Sequence, residues 1–264
     1  MSSEPVAEYT VAHGKAKAFY ERYERKEELQ HQTHFCPGCG HGQVHKMLAM
    51  AIDLLGVQDK TIMVGPVGCG AFTYYYFDVG NVQAAHGRAP AVATAIKRSR
   101  PGSIVITYQG DGDLAAIGLS EILHAANRGE NITIIFINNA VYGMTSGQMA
   151  PTTMVNMKTS TSPLGRNPLT EGCPIRVCEL LATLDRTAFL ARGTVTSPKR
   201  VRETKRLIER AFDTQEQKKG FSLVEILSPC PTYWRMPPTE AMEFIEKEMV
   251  KTFPLGIVKD WSAD

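Results

Sequence analysis

The segment Gly110–Asn139, GDGDLAAIGLSEILHAANRGENITIIFINN, constrains the fold more than any other stretch of the chain. It follows an apolar, β-branched run, Ser103–Tyr108 (SIVITY), and closes on another, Ile132–Ile137 (ITIIFI). Runs of this kind, apolar without alternation, belong to strands buried on both faces. Between them Leu114–Asn127 has helical composition and stops at Arg128-Gly129, a credible C-cap. Strand, glycine-rich turn, helix and strand in that order predict a βαβ unit of a parallel sheet. Both strands of such a unit end at the same edge, so Asp111 and Asn139 meet there although distant in sequence. A carboxylate and an amide oxygen side by side suit a hard cation such as Mg²⁺, which also takes phosphate oxygens. The glycines let backbone N–H groups approach phosphates, and the helix start adds its positive end. Gly-Asp-Gly also occurs in ordinary turns, but the surrounding pattern and the closing Asn138-Asn139 argue against that bland reading.

The rest of the chain repeats the alternation. Thr61–Val64 reads as a strand leading into Gly65–Gly70, and a helix is predicted over 89–98 with Pro90 in its first turn. Further on, helices are predicted near 175–184, 199–217 and 239–250, and strands near 189–195 and 223–227. The fold class is therefore α/β, a parallel sheet with helices on both faces. Residues 140–174 form a long Thr-, Ser-, Gly- and Pro-rich loop, a length that is usually functional or disordered. Residues 1–34 differ from the body at 35–264. Lys15–Gln30 is charged and helical in pattern, with Phe19, Tyr20 and Tyr23 near one side. It reads either as a helix on its own body or as an arm for a partner subunit.

Composition removes several function classes. A net charge of +2 with mixed signs gives no electrostatic case for nucleic acid. No apolar run approaches the ~20 residues of a membrane helix, and the N-terminus lacks a signal-peptide layout, so a cytoplasmic protein is expected. In that compartment the six cysteines are better read as ligands or core residues than as disulfides. Cys36 and Cys39 stand at CxxC spacing among glycines, while Cys69 and Cys230 lie in the loop-like contexts PVGCGA and SPCPT. Four such thiols suit tetrahedral zinc or a [4Fe–4S] cluster, and spacing alone leaves both open. Cys173 and Cys178 read as structural. His86 precedes Gly-Arg-Ala-Pro at a helix start where an anion fits, so cofactor contact is favoured over a purely structural role.

The pattern from Gly110 to Asn139 resembles the diphosphate-binding domain of thiamine-diphosphate enzymes. Its continuation, Ala140–Thr153 (AVYGMTSGQMAPTT), resembles the β subunits of 2-oxoacid:ferredoxin oxidoreductases, particularly the 2-oxoisovalerate or 2-oxoglutarate branch. The likeness runs from about Phe35 to Asp260; Ser146 departs from the usual TGGQ wording. The resemblance implies that Asp111, the Asn139 side chain and the Val141 carbonyl hold Mg²⁺, and that Gly112, Asp113, Gly143 and Met144 line the diphosphate. It places Val67, Gly68, Cys69, Gly70, His86, Gly87, Arg88 and Ala89 beside thiamine diphosphate. It also makes Cys36, Cys39, Cys69 and Cys230 the ligands of a [4Fe–4S] cluster. The implied reaction is oxidative decarboxylation of a 2-oxoacid to acyl-coenzyme A and CO₂, with electrons passed to ferredoxin. The chain lacks room for a second α/β domain, so an α subunit should supply the pyrimidine-binding half, with small ferredoxin-like subunits as further candidates. No residue here is nominated as a general base. The aromatic run Ala71–Phe77 has no cation for a second carboxylate, which favours 3-methyl-2-oxobutanoate over 2-oxoglutarate. Two rival readings remain: a non-oxidative thiamine-dependent decarboxylase subunit, and a zinc-stapled interaction subunit.

Overall fold

Strands that are apolar throughout must be covered on both faces, and here they are. The computed structural model describes residues 16–20 and 33–261. Its strands are β1 (Thr61–Gly65), β2 (Gly80–Gln83), β3 (Ile104–Gly110), β4 (Thr133–Asn138), β5 (Val141–Tyr142), β6 (Gln148–Met149), β7 (Thr187–Thr194), β8 (Phe221–Leu227) and β9 (Gly256–Asp260). The helices are α1 (His41–Leu55), α2 (Ala89–Ser99), α3 (Leu119–Asn127), α4 (Pro168–Glu171), α5 (Val177–Ala182), α6 (Pro198–Glu216), α7 (Pro231–Trp234), α8 (Pro238–Phe244) and α9 (Val250–Thr252).

Seven strands form one sheet in the order β2-β1-β3-β4-β8-β7-β9. All pairs are parallel except β7–β9, which adds an antiparallel edge. Successive side chains of each strand supply opposite layers, as the strand period demands. Ile135 and Ile137 of β4 join Ile208 and Phe212 of α6 and Leu48 and Ile52 of α1. Ile134 and Phe136 join Ala93 of α2, Ile122 of α3 and Leu181 of α5 on the other side. A third cluster, with Trp234, Ile245 and Phe253, closes the end near residue 230.

The sequence-predicted elements fall within a few residues of those observed. Among the elements without a predicted counterpart are α1, which carries a readable signal, and β2, which carries none. In α1 the buried residues Val44, Met47, Leu48, Ala51 and Ile52 follow helical spacing, and Gly56 ends the helix in the left-handed region. β2 is wholly exposed and polar at several positions, so no hydrophobic period marks it. The predicted helix 114–127 begins earlier, as a π-helical stretch Gly112–Ile117 leading into α3. The long loop at 140–174 contains the β5–β6 hairpin and α4.

The helix predicted over Lys15–Gln30 lies mostly outside the described residues. Its described part, 16–20, is a turn and an extended piece. Phe19 bridges antiparallel to Phe77, Tyr20 N–H donates to the Tyr76 carbonyl at 3.0 Å, and the Asp53 carboxylate accepts from Lys17 and Ala18 N–H at 2.6 and 2.8 Å. Backbone groups satisfied by a neighbouring segment override local helical preference there.

Candidate active site at the carboxyl edge of the sheet

Parallel register brings the strand ends to one edge. Gly110 of β3 aligns with Ile137 of β4, and Asn138 aligns with Leu227 of β8. From this edge emerge the loops carrying Cys69, Asp111, Asn139 and Cys230, the position where ligands bind in open α/β sheets. Val67, Gly68, Cys69, Gly70, His86, Asp111, Gly112, Asp113, Asn139, Val141, Gly143 and Met144 all line one narrow cleft there, about 90 Å³ in free volume. Among the described residues no lysine or arginine lines it.

Asp111 is buried at the mouth of the π-helical stretch. Its carboxylate accepts from Thr152 Oγ1 at 2.6 Å and from Gly112 N–H at 2.9 Å. Burial pushes its pKa up to about 7, against the lowering effect of those hydrogen bonds. A buried carboxylate with no cation beside it is the donor set a divalent ion would complete. Asn139 is buried as well; its Oδ1 accepts from Val141 N–H at 3.3 Å and its carbonyl accepts from Trp234 Nε1 at 2.9 Å. Between Asn139 and Val141, Ala140 takes φ of 60°, a conformation costing a non-glycine residue about 1–2 kcal/mol.

Gly112 is the cradle. A Cβ there would run into the ring of Tyr142, so only glycine admits the ring against its backbone. Asp113 has a different task from its neighbours. Its carboxylate pairs with His86 Nδ1, accepts from Gly87 N–H at 2.7 Å and from Gln109 Nε2 at 2.6 Å. It therefore orients the His86 loop while still lining the cleft. Gly87 packs against Ile117 and Gly118, Ala89 is buried in the core, and Arg88 turns outward to pair with Glu121. These three residues lie outside the cleft.

The cysteines separate into two groups. Cys36, Cys39, Cys69 and Cys230 lie within electrostatic reach of one another. Burial pushes Cys69 up to about 11 and Cys230 up to about 12, and thiolate charges on the other members add to both shifts. Cys39 N–H donates to the Cys36 carbonyl at 3.2 Å, closing the CxxC turn. Gly143 stands between the sites: a Cβ there would touch Asn139 Nδ2, Cys230 Sγ and Cys69 Sγ at 3.5, 3.6 and 3.9 Å. Thiols that oppose each other's ionisation, from exposed Cys36 to buried Cys230, are short of positive charge, a chemistry that suits a cationic metal centre. Among the described residues no three His, Cys, Asp or Glu side chains converge on a single ion. Cys173 is exposed and Cys178 is buried on α5, donating weakly to the Ala191 carbonyl at 3.7 Å; both stand apart.

Several participants escaped the sequence reading. Gln109 and Trp234 lack any motif of their own, and the roles of Tyr142 and Thr152, within Ala140–Thr153, become visible only through the fold. His41, buried behind the CxxC turn, is pulled down to about 4 by burial and shares a hydrogen bond with the Tyr108 hydroxyl at 2.7 Å. The aromatic run 71–77 needs a correction: none of it lines the cleft. Phe72, Tyr75, Tyr76 and Phe77 pack on the core face with His34, Phe35 and His45.

A parallel sheet with a Gly-Asp-Gly turn and an Asn at neighbouring strand ends defines a diphosphate-binding domain of the thiamine-diphosphate class. Residues 67–226 match the family described as thiamine pyrophosphate enzyme, C-terminal TPP binding domain. The ketoisovalerate oxidoreductase subunit VorA of Methanothermobacter thermautotrophicus is 50% identical over 95% of this chain and 53% of its own length. The 2-oxoglutarate synthase subunit KorB of Archaeoglobus fulgidus is 37% identical over 88% of this chain and 81% of its own. A solved 2-oxoglutarate:ferredoxin oxidoreductase from Magnetococcus marinus superposes with TM-score 0.72 at 28% identity, covering 93% of this chain and 88% of that one. The chain thus belongs to the thiamine-diphosphate-binding subunits of the 2-oxoacid oxidoreductase family. It spans about half the length of the two ketoisovalerate oxidoreductase subunits it matches.

Proposed function

We propose that this chain is the thiamine-diphosphate-binding component of a 2-oxoacid:ferredoxin oxidoreductase. In this reading Asp111, Asn139 and the Val141 carbonyl hold Mg²⁺, and Gly112, Gly143 and Met144 flank the diphosphate. Cys36, Cys39, Cys69 and Cys230 hold a [4Fe–4S] cluster. The observation that carries it is the position of Gly143, with the amide of Asn139 and the thiols of Cys69 and Cys230 all around one Cα. Cys69 also lines the cleft. Two sites that share a wall suit a reaction in which electrons leave the substrate one at a time.

When bound, thiamine supplies the electron sink for decarboxylation and the cluster supplies a one-electron acceptor. The chain's own residues bind and orient. Asp113 fixes His86 and the Gly87 backbone, Thr152 holds the Asp111 carboxylate toward the cleft, and the buried walls around Ile137 exclude water. No side chain of the cleft is placed as a general base. The pyrimidine-side carboxylate comes from a partner α subunit, and coenzyme A and ferredoxin complete the stoichiometry. The 2-oxoacid loses CO₂, its acyl carbon passes to the thiol of coenzyme A, and two electrons reduce two ferredoxins.

A branched-chain acid, 3-methyl-2-oxobutanoate, is the favoured substrate. The absence of lysine and arginine from the cleft lining supports it, as does the high identity to ketoisovalerate oxidoreductase subunits. The 2-oxoglutarate alternative, which the relatives named for that acid suggest, needs a cation from the partner chain. The test is anaerobic purification with iron, sulfide and zinc analysis, followed by turnover of the complex. About four irons and four sulfides per chain and faster oxidation of 3-methyl-2-oxobutanoate than of 2-oxoglutarate are expected. Zinc in a well-folded anaerobic sample sinks the redox reading.

A further inference from the structure

Behind the cleft a line of buried polar groups runs from the end of β4 across β8 and β7 to α5. Asn138 is fully buried and its Nδ2 donates to Glu225 Oε1 at 2.7 Å. Glu225, also fully buried, accepts from Arg192 Nε at 2.8 Å. Arg192 then donates to both oxygens of Glu179 at 3.0 and 2.6 Å. A carboxylate only accepts, so the Asn138 amide must turn its NH₂ toward Glu225. Its oxygen is left facing the other way, where it accepts from Ala140 N–H at 3.2 Å.

Ala140 is the left-handed residue between Asn139 and Val141. Such a conformation persists only where the surroundings over-determine it. Asn138 Oδ1 holds its N–H, and Thr153 Oγ1 donates to its carbonyl at 2.5 Å. The turn so held delivers Asn139 and Val141 to the cleft beside Asp111. Asn138, Glu225 and Arg192 do not line the cleft themselves.

We propose that Asn138 is a positioning residue for the cation and diphosphate loop, and that Glu225, Arg192 and Glu179 fix its amide in the orientation this requires. The inference rests on the reading of the cleft as a Mg²⁺ and diphosphate site. It makes cofactor affinity a function of charges on the far side of two strands.

The test exchanges donor and acceptor. Asn138→Asp is nearly isosteric and keeps an acceptor for Ala140, but sets a carboxylate against Glu225. Adding Glu225→Gln restores the hydrogen bond with the polarity reversed and the buried charge unchanged. Binding of thiamine diphosphate with Mg²⁺ to the full chain is followed by fluorescence of Trp234, whose indole donates to the Asn139 carbonyl. Denaturant midpoints are taken alongside. Asn138→Asp is expected to weaken binding by about 10–100-fold, the usual effect of losing an outer partner of a metal ligand. The double variant should return close to wild type. Wild-type affinity in a folded Asn138→Asp chain overturns the proposal, as does a double variant that recovers its midpoint but not its affinity. Should Asn138→Asp not fold, Asn138→Ala is compared with Asn138→Ala/Ala140→Gly. Glycine needs no holding at that φ, so tighter binding by the double variant supports the proposal and equal affinity overturns it. If the wild-type chain itself binds no thiamine diphosphate with Mg²⁺, the cleft reading falls and takes this inference with it. Wild-type binding with an unaffected Asn138→Asp removes only the role of Asn138.

Discussion

Asp111 and Glu225 are both fully or almost fully buried, each at or near a strand end, yet they are treated in opposite ways. Glu225 has a guanidinium and an amide pressed against it and needs nothing more. Asp111 has one hydroxyl and backbone N–H groups, no cation, and a pKa displaced upward by burial. The first is a finished piece of architecture; the second is complete only when something is added. A buried acid that the chain itself leaves without a counter-charge marks where a ligand belongs.

Arg192→Met gives the largest effect that comparison forecasts. It strips Glu225 of its counter-charge and removes the guanidinium from the Phe253 ring, 5.5 Å away. A loss of about 3–5 kcal/mol in unfolding free energy is expected by denaturation. Adding Glu225→Leu should recover much of it, since a buried pair is replaced by apolar groups. Asp111→Asn comes next and should behave in the reverse sense. Stability without ligand holds or rises, while the affinity for thiamine diphosphate with Mg²⁺, measured by titration, falls on the order of 100-fold. A large loss of stability in that variant would erase the distinction between the two acids.

Gly112→Ala tests the cradle beside Asp111. Overpacking against Tyr142 should cost about 1–3 kcal/mol in thermal or chemical unfolding, and Tyr142→Ala in the same chain should reverse it. The smallest effect concerns the outer end of the charge line. Burial opposes ionisation of Glu179, but Arg192 outweighs it and holds the carboxyl below the usual glutamate range. A depressed folded pKa means the stabilisation is present above the ordinary value and lost as pH falls through the folded one. Glu179→Gln should therefore flatten the acid limb of the stability–pH curve by up to about 1 kcal/mol, this acid being partly exposed.

Legibility from sequence follows the same divide. The strands β3, β4 and β8 and the Gly-Asp-Gly turn were readable because burial on both faces and a tight strand-to-helix turn demand distinctive residues. The grouping of Asp111 with Asn139 followed from topology alone. The 16–20 segment was misread because its hydrogen bonds go to Asp53 and Tyr76, which no local pattern reveals. The exposed strand β2 had no hydrophobic period to read, and the helix α1 had one that the CxxC motif overshadowed. Asp113 lines the cleft as the resemblance implies, but its hydrogen bonds to His86, Gly87 and Gln109 are visible only in the fold. The aromatic run after Cys69 was weighed for substrate preference, but it lies off the cleft, with Phe72, Tyr75, Tyr76 and Phe77 on the core and Tyr74 exposed. Arg192 carries no motif, and the Asn138-Asn139 pair does not disclose what Asn138 holds, because a network satisfied across four elements leaves no linear trace.

Cys69 lines the cleft and also belongs to the cysteine group. A residue with double membership cannot drift for the sake of one site without disturbing the other. Substitution is expected to be tolerated instead in outlying stretches such as 163–170, where Leu164 and Leu169 stand almost wholly in solvent. The shared thiol acts as an evolutionary brake on the centre of the molecule and leaves its periphery free to explore.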